Sequence, residues 1–309
     1  MKTINGIIPV MLTPFTPDNK IDYPSLDRLI EWYIASGIDA LFAVCQSSEM
    51  IYLSLEERVE LSRYVIKQVN GRVPVISSGH ISDELEDQKR ELLAVAQTGP
   101  DALVLVTNHL DPKNEGTEVF LSNLRALLDT LPPELPLGLY ECPAPYRRLL
   151  TDEELTFCAN SGRFVVIKDV SCDLATVQRR LSLTKNTPLS IVNANAAIAY
   201  PAMLAGARGF CGVMANVHPE LYVWLQSQGS RRSALADEVA RFLSLSALVE
   251  KCGYPKNAKI YQQRLGIFKS THCRVTADDV LETQWALSVI LDQIREGTED
   301  YQRKVGLRP

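Results

Sequence analysis

Lys168 closes the apolar run Phe164-Val165-Val166-Ile167, and this amine is the group in the sequence best placed for covalent chemistry. Such a run has the composition of a strand buried on both faces. Alternation along a strand puts Lys168 on one face with Val166 and Phe164, and Val165 with Ile167 on the other. Burial on both sides disfavours the ammonium form and lowers the amine's pKa. A neutral amine can attack a ketone carbon and form a Schiff base. The same run also suits a structural lysine paired with Asp169, or one snorkelling at a strand end.

Other residues bear on that choice. In Leu137-Gly138-Leu139-Tyr140, alternation places Tyr140 with Gly138, aiming the phenol beside Lys168 with room left above Gly138. A core tyrosine with a single hydrogen bond would show the same pattern. Gln46-Ser47-Ser48 falls where a strand turns toward a helix, so its hydroxyls and N–H groups suit a carboxylate. A turn that satisfies its own backbone would look alike. Glu49 reads as a base or as a buried group holding nearby backbone. Cys45, Cys142, Cys172 and Cys211 fall near strand ends without a histidine partner in sequence, as small buried hydrophobes do.

These residues need a scaffold that brings strand ends together. Strand-like runs begin near Ile7, Ala40, Val73, Asp101, Leu137, Phe164, Leu189 and Gly209, 20 to 36 residues apart, which is the spacing of βα units. Helix signals fill the gaps. Asp22 precedes Pro24 and the pattern stops at Gly37; Ser54-Leu55-Glu56-Glu57 and Thr151-Asp152-Glu153-Glu154 are capping boxes. Ser82 is expected to cap the helix that closes at Gly99, and Asn195 or a neighbour to start one ending at Gly206. The succession predicts an α/β fold, a (β/α)8 TIM barrel over residues 1–218. No G-x-G-x-x-G follows the first strand, which argues against a dinucleotide-binding sheet. Residues 219–309 read as helices only: Leu221 to Gln228, Ser233 to Lys251, Ala258 to Leu265 and Ala277 to Arg295. They are expected to form the last barrel helix and an appended C-terminal helical bundle packed on the barrel.

Composition narrows the function. Among 309 residues, 32 basic and 37 acidic side chains are scattered without a basic stripe, so neither nucleic acid nor an anionic membrane is indicated as a partner. No apolar run approaches a membrane span. Seven cysteines without a C-x-x-C pair fit reduced thiols in a cytoplasm. His80, His109, His218 and His272 lie far from any cysteine pair, so no metal site is expected.

Taken together, the chain resembles the dihydrodipicolinate synthase / N-acetylneuraminate lyase superfamily of Schiff-base aldolases. The matching pieces are Gly6 through Phe15, Ser47-x-Glu49, Tyr140-x-x-Pro143, Ile167-Lys168-Asp169, and Gly206-Ala207-Arg208-Gly209 through Asn216, in family order. The resemblance implies that Lys168 binds a 2-oxo acid covalently, with no metal or organic cofactor. Tyr140 would move protons, Ser47 and Ser48 would hold the substrate carboxylate, and the backbone of Cys211 would contact the lysine region. It also implies a homo-oligomer. Three departures bear on the substrate. Gln46 stands where relatives carry a relay hydroxyl, and Asn108-His109-Leu110 replaces a tyrosine pair. Pro145 replaces a substrate-binding arginine, with Arg147 and Arg148 nearby. Where sialic acid lyases carry an acidic pair the chain has Asn195 and Ala196, and Asn195 would meet a hydroxylated tail as a neutral partner. The sequence therefore favours cleavage or dehydration of a 2-oxo-3-deoxy sugar acid. The alternatives are dihydrodipicolinate synthesis from pyruvate and aspartate semialdehyde, or a non-catalytic carbonyl-binding homologue.

Overall fold

The computed structural model describes residues 3–229 and 231–307. Its eight parallel strands are β1 (Gly6–Ile7), β2 (Leu41–Phe42), β3 (Val75–Ser77), β4 (Ala102–Val106), β5 (Leu137–Tyr140), β6 (Phe164–Asp169), β7 (Ser190–Asn193) and β8 (Gly209–Phe210). Each stands in strand order beside the next, and β8 returns to β1. The ring closes through Phe42 N–H to the Pro9 carbonyl and Met11 N–H to that of Phe42, both at 3.0 Å. This is the expected TIM barrel.

Helices α1 (Tyr23–Ala35), α2 (Leu55–Val69), α3 (Leu85–Ala96), α4 (Thr117–Thr130), α5 (Asp152–Asn160), α6 (Leu174–Leu183), α7 (Ala199–Leu204) and α8 (Pro219–Ser227) follow the strands. Their starts obey local chemistry. Asp22 accepts from Ser25 N–H, and both capping boxes are closed reciprocally by Glu57 and Glu154. Ser82 is not the cap of α3: Glu84 holds that position, and the Ser82 hydroxyl instead donates to Glu91 at 3.1 Å. Glu91 also takes the Ile81 and Ser82 N–H groups and pairs with buried Arg58, so the loop answers to a carboxylate inside α3.

Two glycines set strand spacing. A Cβ on Gly209, at φ +145°, would lie 1.9 Å from the Gly6 carbonyl oxygen, so β1 and β8 can meet only without one. At Gly138 a Cβ would sit 3.0 Å from Val166 and 3.1 Å from Val104. The room expected above Gly138 is therefore filled by valines from β6 and β4, which wedge the strands tightly below Tyr140.

The C-terminal helices are α9 (Ala234–Ser246), α10 (Lys256–Arg264), α11 (Val280–Thr283) and α12 (Leu287–Lys304), with a 3-10 turn over Ala247–Lys251. They contact α7, α8 and the turn after β7. The single helix expected from Ala277 to Arg295 is broken at Gln284–Ala286, and α12 runs on to Lys304. The buried stripe Val280, Leu287, Leu291 and Ile294 crosses the break in helical register. Trp285 lies off that stripe and is 91% exposed.

Candidate functional site

Because parallel strands present all their carboxyl ends to one side, the barrel gathers its polar strand ends around one cleft of about 670 Å³. Lys168, Tyr140, Gln46, Ser47, Asn195 and Tyr254 are among the residues that line it. The β5–β6 register pairs Tyr140 with Lys168 directly, and both side chains turn inward. The Lys168 Nζ lies 4.2 Å from the centroid of the Tyr140 ring. Asp169, one residue further, faces outward to Arg180 and Ser171, so it is not the partner of Lys168. Lys168 makes no ion pair among the described residues, and its amine is left to the cleft.

Burial pushes the Tyr140 phenol well above its ordinary pKa, with the neighbouring Cys142 and Cys45 acting in the same direction. Tyr140 therefore remains a protonated phenol, and it donates to the Gln46 Oε1 at 3.1 Å. The Cys142 thiol donates to the same oxygen at 3.4 Å. Burial also raises the Cys45, Cys142 and Cys211 thiols, Cys211 to about 12, against the opposing field of Lys168. They stay protonated beside the amine, consistent with small buried groups.

The strand ends are locked from behind. Glu141 and Asp169 follow Tyr140 and Lys168, point to the opposite face, and share the buried guanidinium of Arg180 from α6. Glu141 also accepts from the N–H groups of Leu150 at 2.8 Å and Val170 at 3.0 Å. Burial raises the Glu141 carboxyl, and Arg180 works against that rise. The acids adjacent to Tyr140 and Lys168 were the available sequence signal; Arg180 had none.

The turn after β2 divides its expected residues. Ser47 faces the cleft. Ser48 is buried, its hydroxyl bonded to the Cys45 N–H and carbonyl and its own N–H to that carbonyl at 3.1 Å, so it does not reach the cleft. Glu49 sits in the left-handed region at φ +63°. Its carboxylate pairs with buried Lys259 of α10 and accepts from the N–H groups of Arg274 at 2.6 Å and Val275 at 3.0 Å. It is thus the buried holding group of the two readings. The Tyr254 hydroxyl donates to Ser47 Oγ at 2.7 Å. Tyr254, Lys259 and Arg274 come from the C-terminal segment, and no local pattern in the sequence ties them to this turn.

The remaining expected residues are dispersed. Asn195 lines the cleft, but its Oδ1 caps a 3-10 turn through Ala197 at 2.9 Å and Ile198 at 3.3 Å. Cys211 is buried beneath the cleft, its N–H bonded to Asn193. His109 turns to Asp83 at 2.9 Å, away from the cleft lining. Arg147 donates to the carbonyls of Val170 and Ser171 at 3.2 and 3.3 Å, and Arg148 is buried between Asp111 and Glu154. Neither guanidinium is among the cleft-lining residues. Among the described residues no group of three or more His, Cys, Asp or Glu could hold a metal ion, and no helix is long and apolar enough to cross a membrane.

Comparison with known proteins fits this arrangement. The family model described as the dihydrodipicolinate synthetase family matches residues 3–293. The chain belongs to that family. A 4-hydroxy-tetrahydrodipicolinate synthase of Ralstonia nicotianae is 31% identical over 223 residues, covering 71% of this chain and 72% of the relative. One from Methylibium petroleiphilum is 30% identical over 241 residues, covering 76% and 79%. Among solved structures, a dihydrodipicolinate synthase of Bacillus anthracis superposes with a TM-score of 0.82 at 22% identity, covering 94% of this chain and 99% of its own. Membership in the dihydrodipicolinate synthetase family makes the chain an enzyme of the lyase type.

Proposed function

We propose that this lyase binds a 2-oxo acid, pyruvate in the simplest case, as a Schiff base on Lys168. The observation that carries the reading is the amine of Lys168 at the cleft floor, against the ring of a Tyr140 held as a protonated phenol. The Lys168 nitrogen adds to the ketone carbon while the ketone oxygen takes a proton, giving a carbinolamine. That oxygen, protonated again, leaves as water, and the nitrogen becomes an iminium. The iminium accepts the electron pair of the adjacent bond that breaks, or yields the enamine that attacks an aldehyde. Tyr140 is the group within reach to deliver and recover the proton. Its bond to Gln46 orients the phenol, but an amide oxygen only accepts, so no second hydroxyl passes the proton on at that position. The carboxylate of the bound acid falls to Ser47. The scheme requires no metal and no organic cofactor.

For the second substrate, the names of the relatives favour condensation of pyruvate with aspartate semialdehyde over cleavage of a 2-oxo-3-deoxy sugar acid. Gln46, Pro145 and the absence of a guanidinium from the cleft lining among the described residues motivate the second reading, a different carbonyl partner. A panel measuring pyruvate consumption with aspartate semialdehyde, and pyruvate release from 2-oxo-3-deoxy acids, separates the two. Turnover with the semialdehyde alone supports the synthase reading; turnover only with a deoxy acid overturns it. No turnover with any 2-oxo acid would leave a carbonyl-binding homologue.

We also infer a homo-oligomer working in a reducing cytoplasm. Trp285 and Val289 are 91% and 63% exposed at the start of α12, and all seven cysteines are free. Sedimentation at micromolar concentration would contradict the oligomer by returning a monomer.

A further inference from the structure

One cleft residue that the mechanism has not used is Tyr254, which reaches Ser47 from the segment between the Ala247–Lys251 turn and α10. Its surroundings fix the direction of its one proton. Asn216 is fully buried, and one N–H of its amide donates to the Val10 carbonyl at 2.9 Å. A carbonyl can only accept, so the amide nitrogen must face that side. The other N–H donates to the Tyr254 hydroxyl oxygen at 3.1 Å, while the Asn216 Oδ1 accepts from the Tyr33 hydroxyl. The Asn216 backbone is held in turn by the amide of buried Gln262, which donates to its carbonyl at 2.6 Å. With its oxygen already accepting from Asn216, the Tyr254 O–H is directed to Ser47 Oγ. Ser47 Oγ then accepts a hydrogen bond and retains its own O–H to donate elsewhere. Ser47 and Lys168 line the same cleft, so that donor is available to a ligand bound there.

We propose that Tyr254 is a positioning residue that sets the polarity of Ser47, making its hydroxyl an obligate donor to the carboxylate of the bound 2-oxo acid. The chain runs Asn216 to Tyr254 to Ser47 to carboxylate, each group accepting from one neighbour and donating to the next. Desolvation by burial raises the Tyr254 phenol well above its ordinary pKa, so it stays a donor. The fixed orientation spares the site the cost of turning the hydroxyl when the anion arrives. It also disfavours a ligand that would need Ser47 as an acceptor.

The inference rests on the Schiff-base reading, and one experiment separates the two. Borohydride trapping is titrated with pyruvate for the full-length wild type, Tyr254→Phe, Ser47→Ala and the double variant. Hydrogen bonds to charged groups are worth enough that Tyr254→Phe should raise the half-saturating pyruvate concentration about five- to thirtyfold. The maximal extent of trapping and kcat should stay within about threefold of wild type, as expected when only substrate binding is lost. In the double variant the two shifts should fail to multiply, because Tyr254 acts through Ser47. Wild type that is not trapped at all would defeat the Schiff-base reading. Trapping in both proteins at unchanged half-saturation, or independent multiplying shifts, would overturn the role of Tyr254 and leave that reading standing. If Tyr254→Phe does not fold, fluorotyrosine at position 254, a stronger donor of the same shape, should lower the half-saturating concentration. No change there would equally overturn the proposal.

Discussion

Two parts of the cleft are built in opposite ways. The floor, Tyr140 and Lys168, is carried by β5 and β6 and locked by Glu141, Asp169 and Arg180, all within about forty residues of one another. The opposite wall, Cys45 to Glu49, is an irregular turn held by Tyr254, Lys259 and Arg274, more than two hundred positions along the chain. Regular strands fix the direction of their side chains by alternation alone. A turn does not, and Glu49 shows the cost: a non-glycine residue at φ +63° is strained by about 1–3 kcal/mol. The ion pair to Lys259 and the N–H groups of Arg274 and Val275 offset that strain. The bundle is therefore a structural component of the site, since both Ser47 and Glu49 are held by it.

That contrast can be sharpened by cutting each part separately. The largest effect is expected at the floor, where Tyr140→Phe removes the proposed proton carrier and leaves the ring packing intact. Its kcat should fall by about 10²- to 10⁴-fold with little change in urea midpoint. Next comes the lock behind it. Arg180→Met removes the cation shared by two buried carboxylates, Glu141 and Asp169, which keep only neutral donors among the described residues, and should cost about 3–5 kcal/mol by urea denaturation. Lys259→Met makes the matching cut at the turn of Cys45 to Glu49. Glu49 keeps two backbone N–H partners, so the loss should sit near the lower end, about 3 kcal/mol. The two cuts differ in activity: Lys259→Met should raise KM for the 2-oxo acid by loosening Ser47, and equal effects on KM would erase the distinction.

The smallest predicted effect, about 2 kcal/mol between pH 7 and 5, is a pH dependence at the seam between barrel and bundle. His218 is buried against Tyr222 and Phe242, its Nδ1 bonded to Thr298 of α12, and burial lowers its pKa to about 3. In the unfolded chain a histidine titrates near 6.5, so the unfolded state takes up the proton first as pH falls. Stability contributed by the neutral ring is complete above about pH 6.5 and is lost progressively toward pH 3, by up to roughly 1.4 kcal/mol per unit. Buried His80, also shifted well below its ordinary value, adds in the same direction. His218→Gln should flatten the slope between pH 7 and 5 by about half; an unchanged slope would remove His218 from this account.

The same contrast explains what could be read in advance. All eight strands start within about two residues of their expected positions, because short apolar runs punctuated by caps and glycines are local signals. Tyr140 beside Lys168 followed from alternation plus strand order. The resemblance implies that Ser48 helps hold the substrate carboxylate, but where its groups go depends on the turn closing onto Cys45, which residue type alone does not specify. The break at Gln284–Ala286 inside the expected helix is illegible for a related reason: the buried stripe of Val280, Leu287, Leu291 and Ile294 runs across it in register. Tyr254, Lys259 and Arg180 were illegible because each owes its role to a partner brought near only by the closed barrel and the bundle docked on it.

The central claim is that Lys168 is the nucleophile, and one measurement addresses it without knowledge of the second substrate. Wild-type protein and Lys168→Ala are incubated with pyruvate and borohydride, and the intact and peptide masses are read. A reduced pyruvyl adduct on the peptide containing Lys168, absent from the variant, is the predicted result. An unmodified wild type, or an adduct of equal yield on another lysine in Lys168→Ala, would contradict the account.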